Sequence, residues 1–156
     1  HYEDMEMSIK VLVMNGINLN MFGHRDPTHY GTITLDDINN QVTALAGELG
    51  LEAEFFQTNF EGEFVEKLHA VHKEGKIAGL VINAAAGTHD SSGIMDALAI
   101  VKIPIIEVHM SNVHAREEFR HFSILSKVCR GTVAGFGVDS YLLGLRALAS
   151  ILKTEK

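Results

Sequence analysis

The chain has 156 residues, enough for one domain with a single substantial core, and its 46% hydrophobic content argues against disorder. A formal net charge of -7 disfavours nucleic acid and anionic membranes as partners, because both demand a basic surface. One cysteine leaves no internal disulfide to form; with neither a signal peptide nor an apolar run of membrane-spanning length apparent, a cytoplasmic protein is expected.

Residues 1–7 are polar and read as a disordered leader, or one added in cloning, with a single domain expected over 8–156. The apolar run Ile9–Met14 predicts a first strand, followed by Asn15 and Asn18. Gly23–Gly31 is longer than a strand-to-helix connection needs and reads as a lid. Leu35, Ile38, Val42, Leu45 and Leu49 recur at helical spacing, with Thr34 and Asp37 placed as a capping box and Gly50 as a stop. Glu52–Gln57 predicts a second strand, with Gln57 and Asn59 at its end. Phe64, Val65, Leu68 and Val71 then define a helix that stops near Gly75. A third strand over Ile77–Ile82 leads to Asn83, Thr88 and His89, and a helix marked by Ile94, Leu98 and Val101 ends before Pro104. A fourth strand, Ile105–Val108, launches a polar block from His109 to Arg120. Thr132–Ala134 supplies a fifth strand, and Leu142, Leu145, Leu148 and Leu152 a last helix.

That order predicts an α/β fold: a flavodoxin-like, doubly wound five-stranded parallel sheet in three layers, α/β/α. The first, third and fourth runs are almost wholly apolar, as parallel strands covered on both faces must be. Such sheets bind ligands beyond the carboxyl ends of their strands, and every cluster of unusual polar residues falls at that edge.

Glu107 to Arg120 crowds two histidines, two arginines and three carboxylates into fourteen residues directly after a strand. Glu107 and His109 are two apart and so share a strand face, where a carboxylate fixes the tautomer of an imidazole and suits it to donate protons. In the expected lid, Arg25 beside Tyr30 favours a phenolate; bringing a tyrosine from about 10 to near neutrality takes about 3–4 kcal/mol. Asn15–Asn20 is not a phosphate loop, since it lacks the glycines and the lysine that one needs. His114 and His121 read as surface or supporting residues, and His69 and His72 as solvent-facing. A zinc site from His89, His109 and His114 has no HExxH or cysteine pattern behind it. Cys129 reads as a buried core thiol. The residues point to an enzyme for a small anionic substrate.

Taken together, NGINLN (15–20), GHRDPTHYGTITL (23–35), QTNFEGEFVEKLH (57–69), INAAAGTHDSSGIMDAL (82–98), IIEVHMSNVHAREEFRH (105–121) and GFGVDSYLLGL (135–145) resemble, in order, the blocks of type II 3-dehydroquinate dehydratase. The resemblance implies a hydro-lyase that converts 3-dehydroquinate to 3-dehydroshikimate and water by anti elimination through an enolate, in the shikimate or quinate pathway, with no cofactor and no metal. It implies Tyr30 as tyrosinate base, Arg25 and Arg116 stabilising that anion, and Asn18 positioning a water at the enolate oxygen. His109, oriented by Glu107, would protonate the departing hydroxyl. Asn83 and the amides of Met110 and Ser111 would bind the substrate carboxylate, and His89 and Arg120 its ring hydroxyls. Asp96 would enter from a neighbouring subunit of a homo-oligomer, a dodecamer built from trimers.

The chain departs from the family in places. Ile17 stands where proline is usual, which is expected to loosen the first turn. The third-strand loop typically reads Asn-Pro-Gly-Ala-Tyr-Thr-His-Thr-Ser, whereas this chain has Ala84, Ala85, Gly87 and Asp90. Asp90 is expected to place a carboxylate beside His89, close to an anionic substrate. Gly93 and Met95 replace a larger apolar residue and, commonly, an arginine. A non-catalytic flavodoxin-like binding module that has lost turnover is the alternative, with a metal-dependent hydrolase as a third reading.

Overall fold

Alternation along the first strand decides which core each residue joins. In β1 (Ile9–Asn15), Val11 and Val13 turn to one face of the sheet, Leu12 and Met14 to the other, and all four are buried. The computed structural model describes residues 8–24, 28 and 32–155; the expected leader, and Arg25 and Tyr30 of the expected lid, lie outside the described residues.

β1 pairs in parallel with β2 (Leu51–Gln57) on one side and β3 (Gly79–Asn83) on the other. β4 (Ile105–His109) and β5 (Gly131–Ala134) extend the sheet beyond β3, giving the order β2-β1-β3-β4-β5. This is the doubly wound, flavodoxin-like sheet that the alternating pattern predicts. The third strand begins at Gly79 rather than at Ile77, with the Ala78 N–H already donating to the Lys10 carbonyl at 2.8 Å.

Helices α1 (Leu35–Glu48) and α5 (Val138–Thr154) cover one face, where Ile38, Val42, Tyr141, Leu145 and Leu148 pack with Val11, Val13, Val81 and Val108. Helices α2 (Glu61–Glu74) and α4 (Ser92–Val101) cover the other, where Phe64, Leu68, Ile94 and Leu98 pack with Leu12, Met14, Leu80 and Ile82. Each fully buried Leu, Ile or Val contributes about 1.5–3 kcal/mol, so the two faces together hold the sheet. Gly144 lets α5 press onto β4, because a Cβ there would stand 2.7 Å from Val108 Cγ1.

The helix boundaries follow from local chemistry. Thr34 and Asp37 form the expected reciprocal cap: Asp37 N–H donates to Thr34 Oγ1 at 3.2 Å and Thr34 N–H to Asp37 Oδ2 at 3.0 Å. Ser91 caps α4 by accepting from the Ile94 N–H at 3.1 Å, and its hydroxyl also donates to Glu61. One turn of helix, α3 (Gly87–Asp90), lies between β3 and α4; four residues are too few to leave a periodic signature in the sequence.

Candidate active site

All five strands are parallel and end at one edge, and the strand order turns back between β2–β1 and β3–β4–β5. The loops that leave β1 and β3 therefore diverge and open a crevice. A cleft of about 130 Å³ sits there, walled by Ile17, Asn18 and Leu19 after β1, by Asn83, Ala85, Ala86 and His89 from β3 onward, and by His109, Met110 and Ser111 at the end of β4. Arg116 and Arg120 close it from the loop that follows. In a chain of net charge -7, two guanidiniums and two imidazoles gathered at one cleft are the chemistry that suits an anion.

The strand repeat brings Glu107 and His109 together as expected. His109 Nε2 lies 2.6 Å from Glu107 Oε2, and both side chains are buried. A carboxylate only accepts, so Nε2 carries the hydrogen and Nδ1 is left to exchange a proton with a ligand. The second carboxylate oxygen, Oε1, accepts from Ser126 Oγ at 2.9 Å and from Thr132 Oγ1 at 3.4 Å. Burial pushes the Glu107 carboxyl up, but the His109 ring, by hydrogen bond and charge, and the Ser123 and Ser126 hydroxyls more than reverse this. The carboxyl stays below its ordinary value. Glu107 is thus held as an anion that orients His109. Nothing in the sequence marks Ser126 or Thr132 as part of a site; they lie 19 and 25 residues further along the chain, and only the fold brings them to Glu107.

The turn after β1 is braced from β2. Asn18 adopts a left-handed backbone (φ 68°), which asparagine tolerates, and its N–H donates to Asn59 Oδ1 at 2.9 Å. Gln57 Nε2 donates to the Gly16 carbonyl and to Asn59 Oδ1, both at 3.2 Å. These bonds hold the Asn18 turn where the family's proline is absent at Ile17. Gly16 itself must be glycine for reasons of space: its N–H donates to the Asn83 carbonyl at 2.9 Å, and a Cβ would meet the Ala84 carbonyl oxygen at 2.6 Å.

His89 Nδ1 donates to the Phe122 carbonyl at 2.8 Å, since a carbonyl can only accept, which leaves Nε2 as an acceptor in the neutral ring. Arg116 Nη1 donates to Ser111 Oγ at 3.4 Å, and Arg120 Nε donates to Glu117 at 3.2 Å while its guanidinium lies 4.6 Å from the Phe119 ring centre. A second cavity of about 250 Å³ shares His89, His109, Val113 and Arg120 with the cleft and also takes in His114 and His121. Among the described residues no three His, Cys, Asp or Glu side chains are arranged to hold a metal ion. Cys129 is half-buried rather than fully buried, and burial, helped by the Glu107 charge, pushes its thiol up to about 12. His72 is exposed as expected, but His69 is half-buried.

Of the twelve site residues singled out in the sequence, Asn18, Asn83, His89, His109, Met110, Ser111, Arg116 and Arg120 line the cleft, and Glu107 stands directly behind His109. Tyr30 and Arg25 lie outside the described residues. Asp96, exposed on α4, does not line the cleft of its own chain. Asp90 does not line the cleft itself; it lines an adjoining cavity with Phe60, Glu61 and Ser91, and that cavity shares Ile17 and Ala86 with the cleft. The apolar wall of Leu19, Phe22 and Val113 went unrecognised, since apolar residues carry no functional signature by type.

Fold and cleft together define a flavodoxin-type α/β protein with a buried imidazole–carboxylate pair and two guanidiniums at one cleft. The family model Dehydroquinase class II matches residues 9–149. A 3-dehydroquinate dehydratase of Syntrophotalea carbinolica is 59% identical over 146 residues, covering 94% of this chain and 98% of that protein. One of Pelobacter propionicus is 60% identical over 143 residues, covering 92% and 95%. The crystal structure of type II dehydroquinase from Propionibacterium acnes matches with a TM-score of 0.87 at 43% identity, over 92% of this chain and 98% of that one. The chain belongs to the class II dehydroquinase family.

Proposed function

We propose that this chain is a hydro-lyase that dehydrates 3-dehydroquinate to 3-dehydroshikimate by anti elimination through an enolate. The observation that carries the reading is the Glu107–His109 pair facing a cleft that Asn18, Asn83, Arg116 and Arg120 also line. Tyr30, as phenolate beside Arg25 and Arg116, takes the C2 proton, and the electron pair of that C–H bond moves into the enolate. A water held by Asn18 binds the enolate oxygen. The enolate then expels the C1 hydroxyl, which leaves as water with a proton from His109. Tyr30 and His109 both finish neutral, and solvent exchange restores the starting charges.

Substrate binding follows the same distribution. Asn83 and the amides of Met110 and Ser111 hold the carboxylate, and His89 and Arg120 hold ring hydroxyls. Asp96 enters from a neighbouring subunit of trimers that pack into a dodecamer, and residues 8–156 act as one catalytic unit in the cytoplasm. The step serves aromatic biosynthesis or quinate breakdown, which share it.

The test is direct: the conjugated enone product absorbs in the ultraviolet, so turnover of 3-dehydroquinate is read as rising absorbance. Tyr30→Phe should abolish this rise while the circular dichroism spectrum is retained. Full activity in that variant rejects Tyr30 as the base.

A further inference from the structure

The ends of β1 and β3 each carry a buried asparagine, Asn15 and Asn83, and the two are register partners in the parallel ladder. Tyr141 of α5, fully buried, joins them: its hydroxyl donates to Asn15 Oδ1 at 2.6 Å and accepts from Asn83 Nδ2 at 2.9 Å. Asn83 Oδ1 in turn accepts from the Ala85 N–H at 3.2 Å. This chain has a direction. Asn15 Oδ1 carries no hydrogen, so the phenol hydrogen goes to it and the phenol oxygen is left to accept. Only the nitrogen of Asn83 satisfies that oxygen, and only its carbonyl satisfies the Ala85 N–H. Reversing the amide breaks both bonds at once. Among the described residues one N–H of Asn83 remains uncommitted, and Asn83 is part of the cleft wall.

We infer that Tyr141 is a positioning residue for the substrate: by holding one amide hydrogen of Asn83, it fixes that side chain to present its other N–H, and not its carbonyl, to the anionic group in the cleft. The inference rests on the proposed dehydratase reading and deepens it at the carboxylate subsite. A carbonyl turned into the cleft would repel a carboxylate, so the direction of the chain selects for an anion. Burial pushes the Tyr141 hydroxyl well above the ordinary phenol value, against the Asn83 hydrogen bond that opposes it. The hydroxyl therefore keeps its hydrogen, and the chain its direction, across the working pH range.

The experiment compares wild type with Tyr141→Phe in steady-state kinetics on 3-dehydroquinate, with thermal melts alongside. Loss of a correctly aimed donor to a charged group should raise KM about tenfold and leave kcat within about threefold, because the donor serves ground state and transition state alike. A double-mutant cycle with Asn83→Ala supplies a readout that a purely structural hydroxyl would not move: the two effects on KM should be strongly non-additive. Should Tyr141→Phe fail to fold, Asn15→Leu carries the same test, since it leaves the phenol in place and frees its hydrogen to turn towards Asn83. An unmoved KM in a folded variant, or additive effects in the cycle, overturns the positioning role alone. A wild-type chain that does not dehydrate 3-dehydroquinate overturns the proposed function and this inference with it.

Discussion

Glu107 shows how a single buried charge is kept and used. Its carboxylate accepts from His109 on one oxygen and from Ser126 and Thr132 on the other, so the anion is matched by donors before any substrate arrives. Glu107→Gln keeps the shape and removes the charge. We expect kcat to fall about a hundredfold with KM little changed, because the loss falls on proton transfer; an unchanged kcat would detach this pair from the chemistry. The same variant should alter acid stability. The folded Glu107 carboxyl lies below the ordinary value of 4.5, so the native chain binds fewer protons than the unfolded one in that range. Its contribution is therefore complete above the unfolded value and is lost as pH falls through the folded one. Urea midpoints recorded across acid pH should fall less steeply for Glu107→Gln than for the native chain.

Helices and strands were legible in the sequence wherever a repeat ran long enough to be read. The nearly unbroken apolar runs at Ile9–Met14 and Ile105–Val108 specify strands covered on both faces, and Thr34 with Asp37 marks the first turn of α1 to the residue. The crevice was legible for the same reason, since residues that follow parallel strands must gather at one edge. What the sequence hides is side-chain pairing between distant segments. Tyr141 and Asn15 are 126 positions apart, and nothing in their types announces that they share a hydrogen. Nor does it reveal the direction of a short turn: His89 and Asp90 are neighbours in the chain, yet α3 sends one to the cleft and the other to the adjacent cavity.

Helix ends hold a further detail of this kind. Lys102, which closes α4, has φ 55°, and Ala85, which leaves β3, has φ 54°, both in backbone that glycine adopts without strain. Ala85 stands where the family's loop typically carries glycine. Lys102 lies outside the cleft lining, so it isolates the effect of strain: Lys102→Gly should stabilise the fold by about 0.5–1 kcal/mol, the relief of left-handed strain exceeding the added chain entropy. A lower chemical-denaturation midpoint for that variant would refute the account.

Asp96 raises the question of assembly, for it is exposed on α4 and absent from the cleft of its own chain. If it completes a neighbour's site, two inactive variants should repair each other. Co-expressed Tyr30→Phe and Asp96→Ala chains would form some sites in which an intact Tyr30 meets an intact Asp96. Random mixing in a closed ring gives about a quarter of wild-type activity. Mixtures no more active than the separate variants would place Asp96 outside the chemistry of its neighbour.

The burial of Tyr141 also makes the chain a good subject for optical titration. With no tryptophan and three tyrosines, Tyr2, Tyr30 and Tyr141, its near-ultraviolet absorption near 295 nm reports phenolate with no indole beneath it. Tyr141 is sealed against ionisation until the fold opens, so it stays silent under native conditions. On the proposed mechanism, a phenolate signal present at neutral pH and missing from Tyr30→Phe would be the resting charge of the base, counted directly and without substrate.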